Sequence, residues 1–184
     1  MVVVAVASDG SSQAASMTTS ASYDGKSMTL AKQVWSGSRV TASIYYIKDA
    51  TLPGPGTYTV SISGGDYVKI ANVYELRGID QAAPLEAVGG GSGGDCASDS
   101  PSDSITIVTT NAFVVSAVAA FGLNLGSPNG NPQAPVEAYT TGAGSLGFKS
   151  GYLLNSASGA HTIGWTMTSC NPTAQALASF KPAP

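Results

Sequence analysis

The sequence predicts an all-β domain, an antiparallel sandwich of two sheets, on three observations. Apolar residues recur at a period of two and not 3.6; Gly, Pro, Asn and Asp punctuate the chain at short intervals; and hydroxyls take the place of charges. Only 10% of the 184 residues are charged, against roughly 25% in an ordinary soluble domain, so the 25 Ser and 16 Thr must supply most of the polar surface. The length suits one domain, 1–184, with a single sizeable core.

The apolar opening Met1–Ala7 reads as a strand over 2–7, because it has no basic n-region and is short for the h-region of a signal peptide. The expectation is that an export signal was removed, or that the protein reaches the outside by another route such as lysis of a host cell. Strands follow near 16–23 and 27–35, joined by Asp24-Gly25, a pair that tolerates the positive φ of a tight primed turn. Over 40–48, Val40, Ala42, Ile44 and Tyr46 form a core face opposite Thr41 and Ser43. Pro53-Gly54-Pro55-Gly56 breaks the chain before 57–63, where Tyr58, Val60 and Ile62 alternate with Thr59, Ser61 and Ser63, as a strand with one wet face requires. After a strand near 67–77, the stretch at about 88–104, rich in Gly, Ser and Asp, reads as a surface loop of flexible composition. Further strands are expected near 104–110, 112–121, 136–140, 147–154, 161–168 and 173–181, with a turn at Ser127–Pro132.

Chemistry is sparse. Cys96, inside the 88–104 loop, has one possible intramolecular partner, Cys170. On the loop-entropy account a bridge between them would contribute roughly 4 kcal/mol, and two Cys in so weakly charged a chain favour an oxidising destination. Asp95, Asp99 and Asp103 repeat at intervals of four and offer the hard oxygens that a structural calcium prefers, but without a D-x-D-x-D-G loop closed by a bidentate Glu. A solvated acidic loop is the competing reading, and no other cofactor is implied.

The sole histidine, His161, shares a predicted strand face with Ile163 and Trp165, which suits a packed or rim histidine better than a base. Gly142–Gly147 lacks the G-x-S-x-G spacing of a nucleophile elbow, and no carboxylate pair, Glu75 with Glu137 included, is singled out for glycoside hydrolysis. The chain is therefore expected not to be an enzyme. With eight Lys and Arg and a net charge of −3, it has no basic footprint for nucleic acid or anionic lipid. No run approaches the ~18 apolar residues of a membrane span.

Three aromatic residues could form a platform for stacking a glycan: Trp35 at a strand end, Tyr45 out of phase with the core face of its strand, and Tyr67 after Gly64-Gly65-Asp66. The competing reading has Trp35 capping the core and the tyrosines in cross-strand pairs.

The succession VVVAVAS, YDGKSMTL, SRVTASIYYI, GTYTVSIS, ELRGIDQAAPLEA and a closing strand ending FKPA resembles jelly-roll-type β-sandwich modules of bacterial and phage surface and virion proteins. The resemblance spans nearly the whole chain. It implies an adhesive, glycan-binding or particle-building unit, and carries over no active-site residues. Modules of this look usually have a strand before the one that begins here at Met1; without it, Val2, Val3, Val4 and Val6 would line a sheet edge open to a neighbouring chain.

The expected function is a non-enzymatic structural, assembly or adhesion module on the outside of a particle or cell, such as a virion decoration or fibre subunit or an extracellular filament subunit. Its partners would be copies of itself or other surface or particle proteins. A carbohydrate-binding module from a larger secreted protein is the alternative.

Overall fold

A computed structural model describes residues 1–49, 52, 54, 56–65, 67–93, 101–122, 125–130, 134–140, 146–167 and 171–184. Its strands run in chain order as β1 (Val2–Asp9), β2 (Thr18–Tyr23), β3 (Lys26–Ser27), β4 (Thr29–Trp35), β5 (Val40–Ile47), β6 (Val60–Gly64) and β7 (Lys69–Glu75). A connecting region holds β8 (Leu85–Gly89), β9 (Ser92–Gly93) and β10 (Ser102–Ile107). Then come β11 (Ala112–Phe121), β12 (Leu125–Gly130), β13 (Ala134–Thr140), β14 (Leu146–Ser156), β15 (Gly159–Met167) and β16 (Thr173–Phe180). One helical turn, α1 (Gln13–Ser16), is capped by the Ser12 hydroxyl, which accepts from the Ala15 amide.

Among the described residues all pairings are antiparallel, and they build four sheets where two were expected. The inner sheets have the orders β4-β5-β1-β7 and β13-β14-β11-β16-β8; the outer ones are β3-β2-β6 and β10-β15-β12. The main core lies between the two inner sheets: Val3, Ala5, Ala7, Ala42 and Ile44 of one face Val115, Ala117, Ala119, Ala176 and Ala178 of the other. A second core joins Val2, Val4, Val6, Tyr45 and Ile47 to Ala21, Val60 and Ile62 of the first outer sheet. A third joins Val114 and Leu177 to Ile105, Ile107 and Ile163 of the second. The central strands are thus buried on both faces, which is why VVVAVA and VVSAVA read as continuous small apolar runs and why β1, β5 and β16 are buried throughout.

The extra layers also explain the hydroxyls. Thr41 and Ser43, on the face expected to meet water, are fully buried and bonded to other buried hydroxyls: Ser16 Oγ to Thr41 Oγ1 at 3.1 Å and Thr18 Oγ1 to Ser43 Oγ at 3.0 Å.

The two halves repeat one another. Val2–Ala7, VVVAVA, corresponds to Val114–Ala119, VVSAVA, identical at five of six positions, and each run is a central strand of its inner sheet. Strand for strand, β4-β5-β1-β7 matches β13-β14-β11-β16, and β2-β6 matches β12-β15. The ladders agree in register: Val3 opposite Tyr46 corresponds to Val115 opposite Tyr152, and Val4 opposite Val73 to Ser116 opposite Leu177. Even the irregularities recur. The β4–β5 and β13–β14 ladders each slip once, as do β2–β6 and β12–β15. The regions 1–76 and 112–180 are therefore two copies of one structural unit packed face to face, with β8, β9 and β10 inserted between them.

Three expectations are corrected. Val2, Val3, Val4 and Val6 do not form an edge, because β1 is hydrogen-bonded to β5 on one side and β7 on the other. The 88–104 stretch is not all loop: Gly89 ends β8, Ser92-Gly93 pairs with Thr173-Ala174, and Ser102 begins β10. Ser127–Gly130, read as part of a turn, belongs to β12 and pairs with β15. The Asp24-Gly25 hairpin is found as expected, with φ of 50° and 73°.

Candidate functional site

The expected glycan platform does not assemble. Tyr45 does point away from the face of Ala42 and Ile44, but into the second core; it is 2% exposed, and its hydroxyl bonds Thr18 Oγ1 at 2.8 Å. Burial pushes its phenol pKa up, against a smaller lowering by Thr18. Trp35, half-buried, ends β4, and the exposed Tyr67 precedes β7. These are opposite edges of one sheet, three strand spacings or about 14 Å apart.

Of the acidic triplet, Asp95 and Asp99 lie outside the described residues, as do Cys96 and Cys170. Asp103 is half-buried, its pKa raised by desolvation in spite of the Gly91 amide and the nearby Lys32. No group of three or more His, Cys, Asp or Glu able to hold a metal occurs among the described residues. His161 Nε2 lies 2.7 Å from the Ala157 carbonyl oxygen, and Glu75 pairs with Arg77 at 3.0 Å. The Glu137 side chain is outside the described residues.

The residues that do come together line a cleft of about 790 Å³ at one end of the first repeat. Val2 of β1 and Val73 of β7 share a face, as their alternate positions on paired strands require, and supply its apolar floor with Leu76. Tyr23 and Tyr58 form the aromatic wall, ring centroids 5.4 Å apart and tilted by 47°. Asp49, Glu75 and Arg77 set the polar rim, where Arg77 and Glu75 are largely exposed. The Met1 amino group donates to the Leu76 carbonyl at 3.0 Å and pairs with Asp49. Burial lowers the pKa of that amino group, partly offset by Glu75.

In the second repeat the corresponding space is filled. Val114, Leu153, Ile163 and Leu177 are the counterparts of Val2, Ile47, Val60 and Val73, and they pack against Ile105 and Ile107 of β10 and Ala87 of β8. Among the described residues the first repeat has no strand in either position. Among the described residues β7 pairs only with β1, and β6 only with β2, so neither has a strand on its outer edge, although Lys69 Nζ bonds the Gly64 and Gly65 carbonyls where β6 ends. Val73 is consequently 52% exposed and Leu177 fully buried.

Sequence reasoning missed this cleft, because Tyr23, Tyr58 and Val73 look like ordinary alternating strand residues. The signal that leads to it is the VVVAVA and VVSAVA correspondence, which aligns the repeats and shows what one has and the other lacks. Compared with protein-family models, with characterised proteins and with solved structures, the chain matches none.

Proposed function

We propose that this protein is a non-enzymatic assembly or adhesion module on the outside of a particle or cell, a virion decoration or fibre subunit or a subunit of an extracellular filament. The observation that carries the reading is that, among the described residues, β6 and β7 each lack a strand on their outer edge, beside a cleft with an apolar floor and a polar rim. Such edges are templates for another chain, and proteins that do not use them usually blunt them with charge, proline or a covering loop. The jelly-roll assignment belongs to the same proposal and is supported by the strand succession and the face-to-face inner sheets. So does an extracellular or virion location, with Cys96 and Cys170 bridged; alkylation without reductant should then label neither cysteine. The reading requires no cofactor and no enzymatic step.

The test is light scattering and sedimentation of the protein alone and with the particle or cell-surface fraction of its source. A stable oligomer, or retention on the particle through salt washes, supports assembly. A monomer that neither self-associates nor is retained removes it.

A second reading, carbohydrate binding, is favoured by the tilted Tyr23–Tyr58 pair beside Asp49 and Glu75, since sugar rings stack on aromatic faces and bond to carboxylates. It predicts retardation in polysaccharide gels that Tyr58→Ala abolishes.

A further inference from the structure

We propose that the cleft of the first repeat accepts an extended strand from a separate polypeptide, which completes that repeat as β8 and β10 complete the second. The inference rests on the assembly reading above and names its partner. The structure holds its own template. In the second repeat β10 lies antiparallel to β15, with Ile105 opposite His161 and Ile107 opposite Gly159, and both isoleucines are buried over Val114 and Leu177. Carried across the repeat, the β15 positions His161 and Gly159 become Tyr58 and Gly56, both of which line the cleft.

A donated strand running antiparallel to 56–61 would therefore set two apolar side chains, two residues apart, over Val2 and Val73, with hydroxyl or other polar residues between them facing solvent. The backbone would hydrogen-bond along 56–61, the segment that leads into β6 at Val60, and the apolar pair would cover Val73. Among the described residues β8 and β10, the two strands with the required pattern, are already engaged with β16 and β15 of the second repeat, and the donor proposed here is a different polypeptide.

The experiment uses the full chain and a fluorescein-labelled peptide copying residues 101–108, PSDSITIV, as a surrogate donor. Anisotropy titrations are run against the wild type, Val73→Asp, and a peptide with Ile105 and Ile107 replaced by Ser. Hydrogen exchange follows the amides of 56–61 and 69–76. The expected result is saturable binding to the wild type, weakened at least about tenfold by Val73→Asp and by the Ser peptide, with slowed exchange confined to the cleft edges. Because Val73 is half-exposed, Val73→Asp should melt close to the wild type, and Val73→Thr serves as a milder variant if it does not.

Absence of binding, or binding that Val73→Asp and Val73→Thr leave unchanged, overturns the proposal. A dimer of copies dissolved by Val73→Asp without any peptide binding makes the cleft a self-interface and overturns the separate donor. Polysaccharide that occupies the cleft and protects it in place of the peptide overturns it in favour of sugar binding. An oligomer that survives Val73→Asp, with no peptide bound, removes the donated strand and leaves the assembly reading standing; a monomer that binds nothing removes both.

Discussion

Val73 and Leu177 occupy the same register position in the two repeats, opposite Val4 and Ser116 respectively, yet Val73 is half in water and Leu177 is fully buried. The difference lies in what covers them: β8 and β10 over Leu177, solvent over Val73. Equivalent positions should then have unequal energetic weight. Leu177→Ala leaves a cavity under β10 and should cost about 3 kcal/mol, whereas Val73→Ala should cost under about 1 kcal/mol. Urea unfolding of the two variants measures the difference directly. Equal costs would mean that the insertion does not stabilise the second repeat as its packing indicates.

Tyr74 ties the two inner sheets together. Its hydroxyl lies 2.5 Å from Ser150 Oγ, and Ser150 Oγ accepts from Asn72 Nδ2 at 2.8 Å. Burial, with a smaller contribution from neighbouring Tyr152 and against the Ser150 hydrogen bond, pushes the phenol up to about 12. A group whose pKa is raised on folding stabilises fully below its unfolded value, here 10.0, and loses that contribution as pH rises through about 12. Near-ultraviolet absorbance should therefore show a late tyrosinate step that Tyr74→Phe deletes. The same variant should lower stability at neutral pH by about 1 kcal/mol, because Ser150 keeps its bond to Asn72.

The strand periodicity, the Asp24-Gly25 turn and the core face Val40, Ala42, Ile44 and Tyr46 were all legible in the sequence, since each depends on local geometry alone. The number of layers was not. A hydroxyl at every second position signals a wet face, and Thr41 and Ser43 carry that signal while buried, because buried hydroxyls from α1 and β2 satisfy them. Tyr45 misled in the same way: its phase off the main core was correct, but a third layer occupies the side where solvent was expected. The cleft was illegible for a different reason. It is defined by strands that, among the described residues, flank one repeat and not the other, a comparison no single segment contains.

Gly90 shows that the glycine run after β8 is structural. Its φ is +119°, and a Cβ there would lie 2.1 Å from the Gln175 carbonyl oxygen and 3.0 Å from Ala176 Cα, both backbone atoms of β16. Gly25 also has a positive φ, +73°, but nothing lies within 4 Å of its Cβ position. Gly90→Ala should cost about 3 kcal/mol or more, from strain and clash together, and Gly25→Ala only about 1 kcal/mol, from strain alone. Thermal melts of the two variants separate these cases. A mild Gly90→Ala would show that β8 can move off β16 at little cost.

Asp9 and Phe121 are equivalent residues, the last of β1 and β11, and a single side chain joins them. Arg39 donates from Nε and an Nη to the two Asp9 carboxylate oxygens at 3.1 and 2.9 Å, while its guanidinium carbon lies 4.1 Å from the centre of the Phe121 ring. Asp9 is 1% exposed and has Arg39 as its ion-pair partner, whereas Arg39 remains partly in water. Removing the arginine leaves a buried carboxylate uncompensated, which should cost about 2–3 kcal/mol. Arg39→Lys should recover little, because a point ammonium cannot reproduce the two-pronged bond or the stacking. Asp9→Asn combined with Arg39→Ala should be more stable than Arg39→Ala alone, because the orphaned charge is gone. A double-mutant cycle in urea at neutral pH tests this; strict additivity would show that Arg39 acts through its contact with Phe121 and not through the ion pair.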